Sequence, residues 1–138
     1  MSTSVQSLPI VLSRLCKAYG SVKALDNVSL NIAAGEFLTL LGPSGSGKTT
    51  LLMALAGFVR PDYGSILFGD REMITTPPNK RGLGMVFQSY ALFPFMTVAE
   101  NIAYPLKIRG LSKSDQKMRT EHALDTVELD GYGDRRIS

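Results

Sequence analysis

Residues 42–49 read Gly-Pro-Ser-Gly-Ser-Gly-Lys-Thr, a run of glycines and small polar residues that ends in an ammonium group and a hydroxyl. Glycines let the backbone curl with its N–H groups pointing inward, where a side chain would block an anion. The lysine places a point charge on phosphate oxygens, and the hydroxyl of Thr49 suits Mg²⁺. The pattern predicts a loop that cradles the phosphates of a nucleotide.

The segments on either side of this loop have the character that such a loop requires. Residues 36–41 form an almost unbroken apolar run that predicts a buried strand. Residues 50–56 are mostly helix formers, and Gly57 suits the position just past a helix end. The alternative is a flexible Gly/Ser linker, which would not lie between two apolar segments.

Composition indicates a folded domain. The chain has 138 residues, of which 44% are hydrophobic and 20% are charged, and its net charge is +3. This mild balance does not indicate a nucleic-acid partner, which favours clustered basic patches. Cys16 is the only cysteine, and we interpret it as a small buried hydrophobe. His122 is the only histidine, and without a second ligand beside it we interpret it as a solvated helix residue.

Alternating or continuous apolar residues predict strands on both sides of the loop. Four further segments share this pattern, namely residues 10–17, 28–32, 65–68 and 83–87. Turns are predicted at residues 19–20 and 24–27, and a surface loop at residues 75–82. We expect an antiparallel β region ahead of the phosphate loop. Gln88 ends a strand, and ligands bind at the carboxyl ends of strands in open α/β sheets.

The second half of the chain is predicted to be helical after an apolar, aromatic segment. Residues 89–96, which we call the aromatic loop, precede a capping box that opens a helix at Thr97. Pro105 limits or kinks that helix, and the capping pattern recurs at Ser112. The longest apolar run, residues 51–59, is far shorter than the roughly 20 residues of a membrane span. The first residues also lack a signal-peptide pattern, so we expect any role at a membrane to be exerted from its surface.

Three features together resemble the ATP-binding subunit of an ABC transporter, most like the bacterial importers of polyamines, ferric iron or related solutes. They are Tyr19-Gly20, residues 42–50, and residues 85–94, which read Met-Val-Phe-Gln-Ser-Tyr-Ala-Leu-Phe-Pro. The third is the most specific, because a generic phosphate-loop protein has no reason to carry that string so far downstream. The resemblance runs from about Ile10 to the last residue.

This resemblance implies an α/β fold with a P-loop NTPase (RecA-like) core, an antiparallel β subdomain and the start of a helical subdomain. Residues 1–138 would form a partial ATPase domain, in which residues 10–88 hold the β subdomain and Walker A core. Residues 89–138 would hold the Q-loop and the helical subdomain. In the family the LSGGQ signature, the Walker B strand and the switch histidine follow a segment like residues 132–138. We therefore expect an N-terminal fragment whose C-terminal half is missing, marginally folded and not catalytic alone.

The resemblance also implies ATP and Mg²⁺ as ligands. Tyr19 would stack on adenine, Lys48 and Gln88 would be catalytic, and Gln88 would reach Mg²⁺ or the attacking water. Thr49 would be the second metal ligand. The full set of implied nucleotide contacts is Tyr19, Gly42, Pro43, Ser44, Gly45, Ser46, Gly47, Lys48, Thr49 and Thr50.

For the intact protein, the implied function is ATP hydrolysis that drives solute uptake from the cytoplasmic face of the cell membrane. Two ATPase subunits would pair, as a homodimer or with a related subunit, and Ser89–Met96 would dock the transmembrane permease. An extracytoplasmic solute-binding protein would take part indirectly. In the aromatic loop, Phe93 and Phe95 could instead be core residues. Two other functions stay open: a soluble ABC-type ATPase of DNA repair or the ribosome, and a nucleotide-binding remnant without catalysis.

Overall fold

A computed structural model describes residues 7–137; residues 1–6 and 138 of the predicted domain lie outside this range. The elements are strands β1 (Ile10–Tyr19) and β2 (Val22–Ile32), helix α1 (Lys48–Ala56), strands β3 (Tyr63–Phe68) and β4 (Arg71–Glu72), a 3-10 turn (Pro78–Lys80), and helices α2 (Val98–Ile108) and α3 (Lys113–Thr126). The chain divides into two compact units, Met1–Met85 and Val86–Ser138. Each is described by itself.

The first unit contains an antiparallel sheet in the order β2-β1-β3-β4, which confirms the predicted β region. The turn predicted at residues 24–27 is wrong, because those residues belong to β2. Opposite Cys16 the register slips, so that Asp26 and Asn27 face a single residue of β1. Asn27 adopts a left-handed φ of 54° there, and its N–H donates to Cys16 Sγ at 3.3 Å. The turn-like composition of residues 24–27 is therefore explained by a β-bulge inside the strand.

Helix α1 and the sheet share one hydrophobic core. Leu12, Leu15 and Ile66 of the sheet are at most 1% exposed, and Leu51 and Ala54 of α1 belong to the same buried cluster. Burying each large aliphatic side chain contributes about 1.5–3 kcal/mol. The core therefore fixes the helix that follows the phosphate loop on the sheet.

Two predicted strands are wrong. Within residues 7–137, neither 36–41 nor 83–87 pairs with a strand. Phe37 and Val86 are each 93% exposed. A strand is stabilised by ladder hydrogen bonds and cross-strand contacts, so an apolar run without a partner strand does not form one.

The C-terminal end of α1 is closed by a buried cation. Gly57 ends the helix with a φ of 87°, as its composition predicts. The Arg81 side chain then donates from Nη1 to the carbonyls of Ala54 and Leu55 at 2.9 and 2.8 Å, and from Nε to Thr76 at 2.8 Å. Arg81 is only 6% exposed, so its assignment to a surface loop is wrong. Burial lowers its pKa below the ordinary value for arginine, and the nearby carboxylate of Glu72 partly opposes this shift.

The second unit packs α2 against α3, and both predicted caps are confirmed. Thr97 and Glu100 form a reciprocal capping box at the start of α2, and the Ser112 hydroxyl accepts from the N–H of Asp115 at the start of α3. Pro105 lies inside α2, which continues to Ile108. The segment before the chain end lies along the start of α2, where Ala99 N–H donates to the carbonyl of Gly133 at 2.9 Å.

Candidate nucleotide-binding site

The phosphate loop lies directly on strand β2. Gly47 is the residue before α1 and has a φ of 87°. A Cβ added to Gly47 would overlap the carbonyl oxygen of Ala24 in β2. Only glycine meets both demands, a left-handed φ and a backbone-to-backbone contact. The end of the loop is therefore held closely against the sheet.

Lys48 joins the two ends of the loop. Its Nζ donates to the carbonyls of Gly42 and Pro43 at 2.8 and 2.7 Å and to the Ser46 hydroxyl at 3.0 Å. The side chain is half-buried while residues 42–46 are exposed. The ammonium group is thus held inside the turn of the loop, close to where an anion bound by the loop would lie.

The start of α1 carries an unneutralised positive end. Within α1, the first turn contains no acidic residue and no side chain caps the helix. The first N–H groups of a helix and its dipole together favour an anion. Thr49 lies in this turn and is exposed, so its hydroxyl is accessible to a cation that accompanies a phosphate.

The residues present fit a magnesium ion that is held mainly by its substrate. No cluster of three or more His, Cys, Asp or Glu side chains suited to a metal occurs in the described part of the chain. Mg²⁺ usually keeps several waters and takes one or two protein oxygens together with phosphate oxygens. The single hydroxyl of Thr49 beside an anion-binding loop is consistent with that arrangement.

Tyr19 lies near the loop along the β1–β2 hairpin. Tyr19 pairs with Val22, and Ala24, which contacts Gly47, lies two residues further along β2. The rise of a strand and the spacing between strands put the Tyr19 backbone roughly 9 Å from Ala24. Tyr19 as a whole is 51% exposed, so the sheet brings the backbone of an accessible aromatic residue near the phosphate loop.

An ion pair between Lys17 and Asp62 lies at the end of β1. Asp62 accepts from Lys17 Nζ and from the N–H of Ala18, each at 2.8 Å. The hydrogen bond from Lys17 and then that from Ala18 lower the pKa of Asp62 below its ordinary 3.8, since both favour the carboxylate. Lys17 Nζ also lies 5.5 Å from the centroid of the Tyr19 ring. This group was not predicted, because in the sequence Asp62 is simply an acidic residue between Pro61 and Gly64, a composition typical of a turn.

The second unit contains Gln88 and the aromatic loop. Gln88 is exposed. Asn101 holds Phe93 by a two-way hydrogen bond, accepting from its N–H at 2.9 Å and donating to its carbonyl at 3.2 Å. The Phe93 ring lies 4.7 Å from that of Tyr104 and is half-buried, whereas Phe95 is 77% exposed. The two phenylalanines therefore differ: Phe93 anchors the loop and Phe95 projects from it.

The remaining residues singled out by the sequence have structural settings. His122 is exposed on α3, as expected. Cys16 is half-buried and accepts the hydrogen bond of the bulge. No helix in the described range is long and apolar enough to span a membrane.

Comparison with known proteins shows extensive similarity. The model of the family described as "ABC transporter" matches residues 25–138. The chain is 52% identical to the "Spermidine/putrescine import ATP-binding protein PotA" of Nitrosomonas eutropha over 124 residues, and 50% identical to that of Marinobacter nauticus over 125 residues. These alignments cover 90% and 91% of this chain but 34% of each relative. The chain thus spans about a third of the length of these curated relatives.

Solved structures share its fold. The chain superimposes with a TM-score of 0.82 and 30% identity on the "Dimeric structure of a post-hydrolysis state of the ATP-binding cassette MJ0796 bound to ADP and Pi". The superposition covers 93% of this chain and 61% of the other. A second structure, titled "Dimeric Structure of MJ0796, a Bacterial ABC Transporter Cassette", matches with the same TM-score.

Proposed function

Since the chain belongs to the ABC transporter family, we propose that its phosphate loop binds ATP and that the intact protein hydrolyses ATP to drive solute import. The observation that carries the proposal is the loop itself. Lys48 is anchored inside it, and the helix beneath it begins without a neutralising side chain. The ADP and Pi bound by the structurally similar cassette support a nucleotide as the ligand. The names of the PotA relatives support polyamines as the solute.

The residues of the loop would act mainly by positioning and charge stabilisation, which dominate phosphoryl transfer. Lys48 would exchange its bonds to loop carbonyls for bonds to the β- and γ-phosphate oxygens. The backbone N–H groups at the start of α1 would hold the same oxygens. Mg²⁺, when bound, supplies further neutralisation of the phosphate charge, with Thr49 and Gln88 as its protein ligands. Gln88 would also orient the attacking water.

We further propose that two such ATPase domains pair and dock a permease at the cytoplasmic face of the membrane. The dimeric state of the similar cassette supports the pairing. The exposure of Tyr90, Leu92 and Phe95 in the aromatic loop supports the docking, since several large apolar side chains exposed in one segment are typical of interaction sites. A solute-binding protein on the other side of the membrane would deliver the substrate.

Equilibrium titration of the 138-residue chain with Mg-ATP tests the nucleotide site. We expect Lys48→Met to weaken binding about 10- to 100-fold, which corresponds to the loss of charge-assisted hydrogen bonds. Lys23→Met is the matched control, because Lys23 is exposed and forms an ion pair with Asp26, three residues along the chain. Equal affinities for the two variants would contradict the proposed site.

The docking surface needs a separate test in the assembled transporter. We expect Phe95→Ser to reduce solute uptake and permease-stimulated ATP turnover while leaving the affinity for ATP unchanged. Tyr63→Ser is the control, since Tyr63 is an aromatic residue of the first unit that is 75% exposed. Unchanged transport in the Phe95 variant would rule out this residue as part of the docking surface.

A further inference from the structure

The end of strand β1 that carries Tyr19 has a strand on only one side. β1 pairs with β3 as far as Cys16, which is opposite Tyr63. Beyond that point, residues 17–19 pair only with β2 among the residues that the structure describes. One edge of this short segment is therefore not held by a ladder, and a free strand end of this kind frays readily.

Asp62 holds that edge with its backbone and side chain. Its N–H donates to the carbonyl of Cys16 at 2.8 Å, and its Oδ2 accepts from the N–H of Ala18 at 2.8 Å. The carboxylate thereby takes the place of the next backbone carbonyl that a longer β3 would offer. The strand end next to Tyr19 is fixed by a residue from the connection between α1 and β3.

The same carboxylate fixes a cation on the Tyr19 ring. Asp62 Oδ1 accepts from Lys17 Nζ at 2.8 Å, and the Lys17 side chain is only 19% exposed. Lys17 Nζ lies over the Tyr19 ring, 5.5 Å from its centroid, within the range of a cation–π contact. Lys17 thus covers one face of the ring, while Tyr19 as a whole keeps 51% of its surface exposed.

We propose that Asp62 and Lys17 are positioning residues for base recognition, which hold Tyr19 so that its open face stacks on the adenine of the bound nucleotide. This inference rests on the proposed nucleotide site. A ring that is already fixed loses less freedom on binding. The base half of the ligand would gain affinity from this arrangement, whereas the phosphate half, which is bound by the loop, would not.

The ratio of the affinities for ATP and for inorganic triphosphate separates the two halves of the site. In the 138-residue chain, we expect Asp62→Asn and Lys17→Met each to weaken ATP binding about 3- to 10-fold, the fold-change that corresponds to one immobilised side chain. Triphosphate binding should stay unchanged. Asn keeps an oxygen that can accept from the N–H of Ala18, so Asp62→Asn removes the ion pair with little risk to the fold.

The Lys23–Asp26 ion pair provides a matched control. It lies in the same sheet, its Lys23 Nζ and Asp26 Oδ2 atoms are 3.2 Å apart, and both side chains are more than 60% exposed. Asp26→Asn should change neither affinity. In a Tyr19→Ala background, Asp62→Asn should produce no additional loss of ATP affinity, because its effect acts through the ring.

Three results would overturn the inference. An unchanged ratio in the Asp62 and Lys17 variants would show that Tyr19 does not depend on them. A further loss of ATP affinity in the Tyr19→Ala background would show that Asp62 acts elsewhere. If the wild-type chain bound neither ATP nor triphosphate, the proposed function would fail together with the inference. If the wild-type chain bound triphosphate and the ATP-to-triphosphate affinity ratio stayed the same in the variants, only the role of Asp62 and Lys17 would be rejected.

Discussion

Replacing Arg81 with alanine should destabilise the first unit strongly, although Arg81 was expected on the surface. The guanidinium donates three hydrogen bonds to the carbonyls of Ala54, Leu55 and Thr76, at 2.8–2.9 Å. Two of these carbonyls lie at the C-terminal end of α1, where a positive charge also complements the helix dipole. The Ala54 carbonyl would keep its hydrogen bond from the N–H of Gly57, at 3.2 Å, whereas the part-buried carbonyls of Leu55 and Thr76 would lose the Arg81 donor. A buried carbonyl left without a donor costs about 1–3 kcal/mol. Release of a cation whose pKa is lowered by burial offsets part of this loss.

The net expectation is a loss of about 3 kcal/mol in the free energy of unfolding, since the unpaired carbonyls outweigh the relief of desolvation. Urea denaturation followed by far-UV circular dichroism measures it. With a typical urea dependence of about 1.5 kcal/mol per molar, the midpoint should fall by roughly 2 M. Arg81→Lys, which keeps the charge but not the fork of donors, should give an intermediate loss.

Arg60→Ala is the matched control, because Arg60 is exposed and lies in the same unit. It should change stability by no more than about 0.5 kcal/mol, as surface substitutions usually do. If Arg81→Ala and Arg60→Ala had the same midpoint within error, the buried cap would not stabilise α1. If the Arg81→Ala chain did not fold at all, the test would be the unfolding midpoint of Arg81→Lys. A midpoint equal to that of the wild-type chain would then refute the reasoning.

Three further predictions concern the loop, the ion pair and the second unit. Gly47→Ala should abolish ATP binding in titrations, because its Cβ overlaps a carbonyl of β2, whereas Gly45→Ala, whose Cβ meets nothing within 4 Å, should only weaken it. The pKa of Asp62 is lowered in the folded chain, so its contribution to stability is full above pH 3.8 and declines as the pH falls further. The stability of Asp62→Asn should therefore fall less steeply with acid than that of the wild-type chain, as followed by circular dichroism. Identical acid-unfolding curves for the two chains would contradict this prediction. Asn101→Ala should speed proteolysis within the aromatic loop, because Asn101 holds its backbone at Phe93, and an unchanged cleavage rate would argue against that role.

Local chemistry was sufficient to predict the parts of the molecule that neighbouring residues determine. The end of α1 at Gly57 and the capping box at Thr97 each depend on residues only a few positions apart. The family resemblance was also confirmed, since it rested on motifs rather than on packing. Motifs of this kind specify a backbone conformation and a charge directly, so they can be interpreted without knowledge of the rest of the fold.

Features that depend on distant residues were not predictable in the same way. An apolar run such as residues 36–41 signals a segment suited to burial, but strand formation needs a partner. The roles of Arg81 and Asp62 depend on groups 27 and 44 residues away in the chain. The bulge at Asn27 resembles a turn in composition because both use a left-handed residue. Only tertiary structure distinguishes these cases.

Hydrogen–deuterium exchange of the chain with and without Mg-ATP tests the central claim most directly, because it reports on the backbone N–H groups assigned to the phosphates. We expect Mg-ATP to slow exchange in peptides that span residues 42–51 and to leave exchange in peptides from α3 unchanged. In Lys48→Met, the slowing at residues 42–51 should disappear. Protection spread equally over both units, or absent from residues 42–51 at saturating nucleotide, would contradict a phosphate site at this loop.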